Sequence, residues 1–514
     1  MNMAISKHEI IKSISLGERV AEDERDSLEN YFVQTDQWDQ LYAGNKDIVF
    51  GPKGTGKSAL YGLLNKKSAD LRKNNIILAT AENIRGATVF KGIIASPPPS
   101  EISFIFLWKL YCLALIGKTL RENKINNSNA TSLIDALTTA QLLPNNASIG
   151  TLFRLAQDYL KNLINSEKSA IEHSLCIDPI SGMPTVSRRV ELRDTKIEDR
   201  ISSIPVDEFL AIADRALEEE DKKIWVLFDR LDVAFIESRD LEKNALRALF
   251  RAYNDLRALN NIYLKIFVRD DVWNRISSGG FSEASHIIKT TQIKWDERSL
   301  LDLIAKRLSR SDSLIAYIQD IFNECNPQNN NTTGFKELLS TDFEMKKFMV
   351  ETILPDKVDT GKNPNTFEWM VSRVRAGLAT SAPRELIHMF ETIRANQLKR
   401  LERGEAEPEG TMLFDRGVFK EALDEVSKTR YKQTFLAEYP EYSTYTDRLK
   451  SEKAEQTVLT LAKIWETTVS DAESIADQLV DVGFFEQRGS SGAYTYWVPF
   501  LYRGALDLIQ GKAD

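Results

Sequence analysis

Apolar residues fall in short, nearly continuous runs through the first part of the chain, and segments of helical periodicity separate them. Lys46-Asp-Ile-Val-Phe50 reads as a short buried strand running into glycines, and Ser58 to Leu64 as the start of a helix. Further strands are predicted at Asn75–Ala79, Ile224–Phe228, Tyr263–Val268 and Ile287–Ile293. Between two of these, Leu241 to Leu259 repeats its apolar positions near every 3.6 residues and predicts a helix. Strands without polar alternation need cover on both faces, so the pattern predicts an α/β fold with a parallel sheet.

The stretch 85–205 interrupts this rhythm. Pro97-Pro-Pro99, Asn126–Ser132 and Pro179–Pro184 read as loops or turns with helical segments between them. Ile102–Ile116 is the most hydrophobic run, but it is shorter than the ~20 residues a bilayer requires, and Lys109 sits in its middle. It predicts a buried core helix. From Ser299 to about residue 470 the pattern is helical. Ala454–Thr467 and Asp471–Val482 read as two helices, the second capped by Ser470 and stopped at Gly483. Phe484–Gln487 and Tyr494–Val498 then predict a hairpin, and Tyr502–Gln510 a closing helix. That order predicts a C-terminal winged helix.

The length of 514 residues predicts two to four modules, and 42% hydrophobic with 28% charged residues excludes wholesale disorder. A net charge of -8 argues against a generally basic nucleic-acid binder. The second C-terminal helix reinforces this: it carries Asp471, Glu473, Asp477 and Asp481 and no Lys or Arg, so protein docking fits it better than a DNA groove. Cys112, Cys176 and Cys325 form no disulfide framework, and residues 1–10 hold no secretory apolar run. The expectation is a cytoplasmic protein without membrane contact. His173 and Cys176 offer metal-ligand types but lack a second pair.

Gly51-Pro52-Lys53-Gly54-Thr55-Gly56-Lys57-Ser58, followed by Ala59, matches G-x-x-x-x-G-K-[ST] between a strand and a helix. Glycines let backbone N–H groups converge on phosphates, and the following helix aims its positive end at the same place. Lys57 would meet the β- and γ-phosphates and Ser58 would ligate Mg²⁺. Ile224–Phe228 ends in Asp229, the position of a carboxylate that holds Mg²⁺ through water. Many such enzymes place a second acid next, whereas this chain has Arg230. Asp232 is then the nearest acid, either a base for the attacking water or a helix cap.

The segments GPKGTGKSAL, IWVLFDRLD, LKIFVRDDVW, IKWDERSLLDLIAKRL and SAPRELIHMF, in this order, resemble bacterial AAA+-type ATPases of the origin-recognition-complex-like group, especially stand-alone members found among phage-defence genes, with STAND ATPases as neighbours. The resemblance spans about 31–400 and implies an αβα P-loop NTPase core, an α-helical lid and a C-terminal winged helix. It assigns Arg269 to a γ-phosphate sensor and Arg384 to a second sensor at the start of a lid helix. It also makes Arg275 a candidate finger toward a neighbouring subunit. The corresponding division is an N-terminal helical segment at 1–44, the ATPase core at 45–298 with its insert at about 85–205, the lid at 299–430 and a winged-helix-like domain at 431–514. Three functions follow as expectations. The leading one is a Mg²⁺-dependent ATP-hydrolysing switch that controls a homo-oligomer or a separate effector protein in anti-phage defence. The others are a DNA-binding initiator or loader, and a nucleotide-stabilised scaffold with little turnover.

Overall fold

The computed structural model describes residues 6–18, 24, 27–82, 88–91, 93, 97–164, 174–187, 204–231, 238–277, 280–326, 334–377, 382–490 and 494–513. They form two compact units, one of residues 35–51 and 57–293, the other of residues 1–34, 52–56 and 294–514.

The first unit is built on a parallel sheet of five strands. β1 (Ile48–Phe50), β2 (Ile76–Thr80), β5 (Lys223–Phe228), β6 (Ile262–Val268) and β7 (Thr290–Gln292) lie in the order β2-β5-β6-β1-β7. One strand, β6, therefore separates the strand before the glycine loop from the strand that ends at Asp229. Ile224 to Phe228 are all buried, as an unalternating apolar strand requires. β7 is a short edge strand of Thr and Gln, and the apolar residues Ile287 and Ile293 flank it.

The insert belongs to the same core. The helix Glu101–Glu122 is buried nearly all round, and its Trp108 and Tyr111 meet Phe90, Phe153 and Phe228 in one cluster of rings. By length and composition this helix could cross a membrane, yet 83% of its most apolar window is buried inside the fold. Lys109 in its middle pairs with Asp207 and Asp255, each at 2.7 Å. The expected turn at Asn126–Ser132 is shorter than predicted. Asn127 accepts from the Ala130 amide and opens a helix over Ser128–Thr139. A hairpin of β3 (Ser174–Ile177) and β4 (Pro184–Ser187) surrounds the predicted loop at Pro179–Pro184.

The second unit is mostly helical. Helices Glu297–Leu308, Phe343–Ile353, Thr366–Arg373, Pro383–Glu402 and Arg416–Thr429 share a core that includes Leu300, Met349, Phe390 and Phe419. The N-terminal helix Lys7–Ser13 joins it: Ile10 and Ile11 are buried there, and Arg394 donates to the Ile11 carbonyl at 3.0 Å.

The C-terminal module departs from the expected helices at three places. Lys453–Thr457 is a strand, β8, and only Val458–Trp465 is helical. Ala454 and Gln456 face inward while Lys453, Glu455 and Thr457 face outward, and antiparallel pairing with β10 (Thr495–Trp497) overrides the weak strand preference of these residues. The next helix is Val469–Asp481, capped by Thr468 instead of Ser470. The predicted closing helix shortens to Phe500–Arg503 and a 3-10 turn at Gly504–Leu506. Left-handed Asp507 then turns the chain into β11 (Ile509–Lys512), parallel to β8. With β9 (Glu486–Arg488) the order is β11-β8-β10-β9. Two helices and a hairpin on this small sheet make a winged helix. Phe484, Phe485 and Tyr496 are buried in its core, whereas Tyr494 and Trp497 are only partly covered.

Candidate phosphate-binding site

The five parallel strands all end on one edge of the sheet, where Gly51, Lys57, Ser58, Asp229 and Arg269 follow strands or open a helix. Open α/β sheets bind ligands outside the carboxyl ends of their strands. β1 runs into Gly51, and the helix Lys57–Lys66 begins where the motif ends. Gly54 has φ 86° and Gly56 has φ 102°, backbone shapes that L side chains rarely adopt and that the motif's glycines permit. Thr55 closes the loop on itself, its hydroxyl donating to the Pro52 carbonyl at 2.8 Å. Lys57 Nζ donates to the Gly51 carbonyl at 2.6 Å. Ser58 and Ala59 occupy the first turn of the helix, where unpaired N–H groups favour an anion.

Asp229 stands at the end of β5 and is 4% exposed. The next residue, Arg230, has φ 57°, so the chain turns sharply out of the strand at the position where a second acid was missed. Asp232 lies outside the described residues. A different carboxylate is beside Asp229. The amide of Ala81 donates to the Leu227 carbonyl at 2.9 Å, extending the β2–β5 ladder, and Glu82 follows Ala81. Glu82 is 1% exposed and accepts from the Thr88 hydroxyl at 2.5 Å and the Val89 amide at 3.3 Å. Tyr61, one turn beyond Lys57, donates from its hydroxyl to the Glu82 carbonyl at 2.7 Å. Burial first, and then the charges of Asp229 and Glu82, push the Tyr61 phenol up. The sequence holds a weak signal for Glu82, an acid three residues beyond the apolar run Ile76–Ala79, but that run also serves an ordinary strand end.

Arg269 follows β6, as expected of a sensor, and its guanidinium is held bidentately by Asp271 at 2.9 and 3.0 Å. Arg275 pairs with Glu242 at 2.7 Å and with Asp271 at 3.2 Å.

The loop tip, Pro52–Gly56, belongs to the helical unit, and several residues of that unit lie against it. Trp295 donates from its indole nitrogen to the Thr55 carbonyl at 2.9 Å. Lys53 pairs with Glu438. A Cβ on Gly54 would lie 3.3 Å from the Arg384 Cβ and 3.3 Å from a Glu385 carboxylate oxygen. Arg384 thus opens the helix Pro383–Glu402 beside the loop tip. Its Nε and the Oε2 of Glu385 are buried without hydrogen-bond partners. Orphaned polar atoms next to a phosphate loop fit a polar ligand that completes them. For a divalent cation, one hydroxyl and one carboxylate, Ser58 and Asp229, suit Mg²⁺, which keeps waters and phosphate oxygens as its other ligands. Among the described residues no cluster of three or more His, Cys, Asp or Glu could hold a metal by itself.

No protein-family model matches the chain. A putative transposon gamma-delta 80.3 kDa protein of Escherichia coli (strain K12) is 25% identical over 340 residues, covering 64% of this chain and 44% of that protein. The match thus spans less than half of that relative's length. Among solved structures, the Aeropyrum pernix ORC2 protein in ADPNP–ADP complexes covers 96% of this chain and 94% of its own, at a TM-score of 0.35 and 11% identity. CDC6P from Pyrobaculum aerophilum covers 98% of each chain at a TM-score of 0.27 and 12% identity. Likenesses this distant carry no argument about individual residues.

Proposed function

We propose that this protein binds and hydrolyses ATP with Mg²⁺ at the Gly51–Ser58 loop, and that its nucleotide state sets its assembly or its hold on a partner protein. The observation that carries the reading is the complete phosphate loop, with two positive-φ glycines, between a parallel strand and a helix, at the sheet edge where β5 ends in buried Asp229. Lys57 and the loop amides would hold the β- and γ-phosphates; Ser58 and Asp229 would hold the cation. Mg²⁺ supplies charge neutralisation on the phosphates.

Glu82 is proposed as the base that Arg230 cannot be. Its carboxylate would take a proton from the attacking water as the oxygen bonds to the γ-phosphorus. The bond from that phosphorus to the β,γ-bridging oxygen breaks, releasing ADP and phosphate. Arg384 is proposed to answer the γ-phosphate, because its Nε is buried, unpartnered and beside the loop tip. Arg269 would serve as the other sensor by exchanging Asp271 for phosphate. Asp232 stays a candidate for orienting water.

A cytoplasmic location belongs to this proposal through the cysteine usage, and a homo-oligomer, a separate effector and a role in anti-phage defence through the family resemblance alone. A DNA-loading role is the competing reading, and the carboxylates of Asp471, Glu473, Asp477 and Asp481 on the second helix of the winged module weigh against it. The decisive experiment measures ATP binding by fluorescent-nucleotide titration and turnover by phosphate release. The wild-type chain should do both, and Lys57→Ala should lose binding. Equal binding and turnover in the two proteins would refute the site.

A further inference from the structure

Five side chains of the second unit, three arginines and two aromatic rings, form one cluster. Arg373, at the end of the helix Thr366–Arg373, places its guanidinium carbon 3.7 Å from the ring centre of Phe500. Arg503 lies 4.0 Å from the same ring centre and 4.4 Å from that of Trp497. Arg488 lies 3.9 Å from the Trp497 ring. Two planar guanidiniums this close to one ring centre cannot share a face, so Arg373 and Arg503 take opposite sides of Phe500, and Arg503 sits in the corner between Phe500 and Trp497, whose ring centres are 5.3 Å apart with their planes at 82°. Stacking occupies the ring faces and leaves the in-plane N–H edges of each guanidinium for oxygen ligands.

Arg503 in this cluster is short of negative charge. Arg503 is 8% exposed. Its Nε donates to the Val498 carbonyl at 2.9 Å and its Nη1 to Gln510 at 2.5 Å, while its Nη2 is buried with no hydrogen-bond partner. Burial, then Arg373, then Arg488, push its guanidinium down to about 10, a direction that marks uncompensated positive charge. Carboxylates approach the cluster, and Glu455 on β8 stands directly across from Trp497. Glu486 holds Arg488 at 2.9 Å, and Asp359 is taken up by Lys420 at 2.7 Å and by the Trp369 indole at 2.8 Å.

We infer that Arg373, Arg488 and Arg503 form a binding site for a small phosphate-type oxyanion, separate from the Gly51–Ser58 loop. A phosphate or pyrophosphate presents several oxygens to guanidinium edges and would supply the charge and acceptors that Arg503 lacks. A free anion fits better than the backbone of a nucleic acid. The Arg503 donor is buried among side chains, and Asp477, which accepts from Tyr496 at 2.8 Å, places negative charge beside the same hairpin.

The test is calorimetric titration of inorganic phosphate and pyrophosphate into the full chain carrying Lys57→Ala, so that the phosphate loop contributes nothing. Saturable binding is expected. Arg373→Gln and Arg488→Gln should each weaken it at least about tenfold, the loss of one charge-assisted contact. Arg373 is only partly buried and Arg488 is exposed, so circular dichroism should show both variants folded even if an Arg503 variant is not. No saturable binding, or binding that neither variant weakens, overturns the site. If a short DNA duplex binds in an Arg488-dependent way while pyrophosphate does not, the small-anion assignment is wrong.

Discussion

Glu82 and Asp229 end adjacent parallel strands, fixed by the 2.9 Å bond from the Ala81 amide to the Leu227 carbonyl, and both are buried. Under the proposed ATPase reading, the pair of carboxylates at the ends of β2 and β5 would divide two tasks that neighbouring residues of one strand often share. If Asp229 serves the cation, Glu82 is left to handle the water. Glu82→Gln should keep ATP binding and slow phosphate release by about 10²-fold or more, the usual scale for a general base. Glutamine still accepts from Thr88 and Val89, so a purely structural Glu82 would leave turnover and its pH profile near wild type.

Gly54 tests the loop tip. Its φ of 86° and the 3.3 Å approach to Arg384 leave no comfortable place for a methyl group. Gly54→Ala should cost on the order of 1 kcal/mol in local backbone strain and weaken nucleotide binding, with the thermal midpoint almost unchanged. Titration with a fluorescent ATP analogue beside a melting curve separates the two effects.

Trp108 tests whether the insert is part of the core. It is fully buried against Phe90, Phe153 and Phe228, and its indole donates to the Ala245 carbonyl at 2.8 Å. Trp108→Ala should destabilise the protein by about 3–5 kcal/mol, as large buried aromatics do. Chemical denaturation should then show the sheet unit unfolding at lower denaturant. An unchanged midpoint would mean that the insert is an appended module.

Asp359 gives a pH-dependent test. Hydrogen bonding to Lys420 first, with the Trp369 indole also donating, holds its carboxyl below the usual range against an opposing burial effect. A depressed folded-state value means that its contribution is present above the unfolded value, near ~3.9, and fades as pH falls through the lower folded one. Asp359→Asn should therefore melt below wild type at neutral pH, and the gap should close in acid. A gap independent of pH would assign the effect to packing.

The phosphate loop, Asp229 and the parallel core were legible because each rests on local chemistry. Glycines at fixed spacing, a lysine and a hydroxyl have few other uses together, and apolar runs between helices demand a covered sheet. The buried helix at Glu101–Glu122 was legible for the same reason, since an unbroken apolar surface has to be enclosed. Pairing between distant segments was not. Lys453–Thr457 carries helix-compatible residues and becomes a strand because β10 and β11 offer it partners. Glu82 gains its place only when β2 lies next to β5, a neighbour more than a hundred residues away in sequence. Arg373, Arg488 and Arg503 look like ordinary surface arginines in the chain. Tertiary structure alone stacks them on Phe500 and Trp497, because a cation–π contact depends on where a ring face points and leaves no spacing in the sequence to announce it.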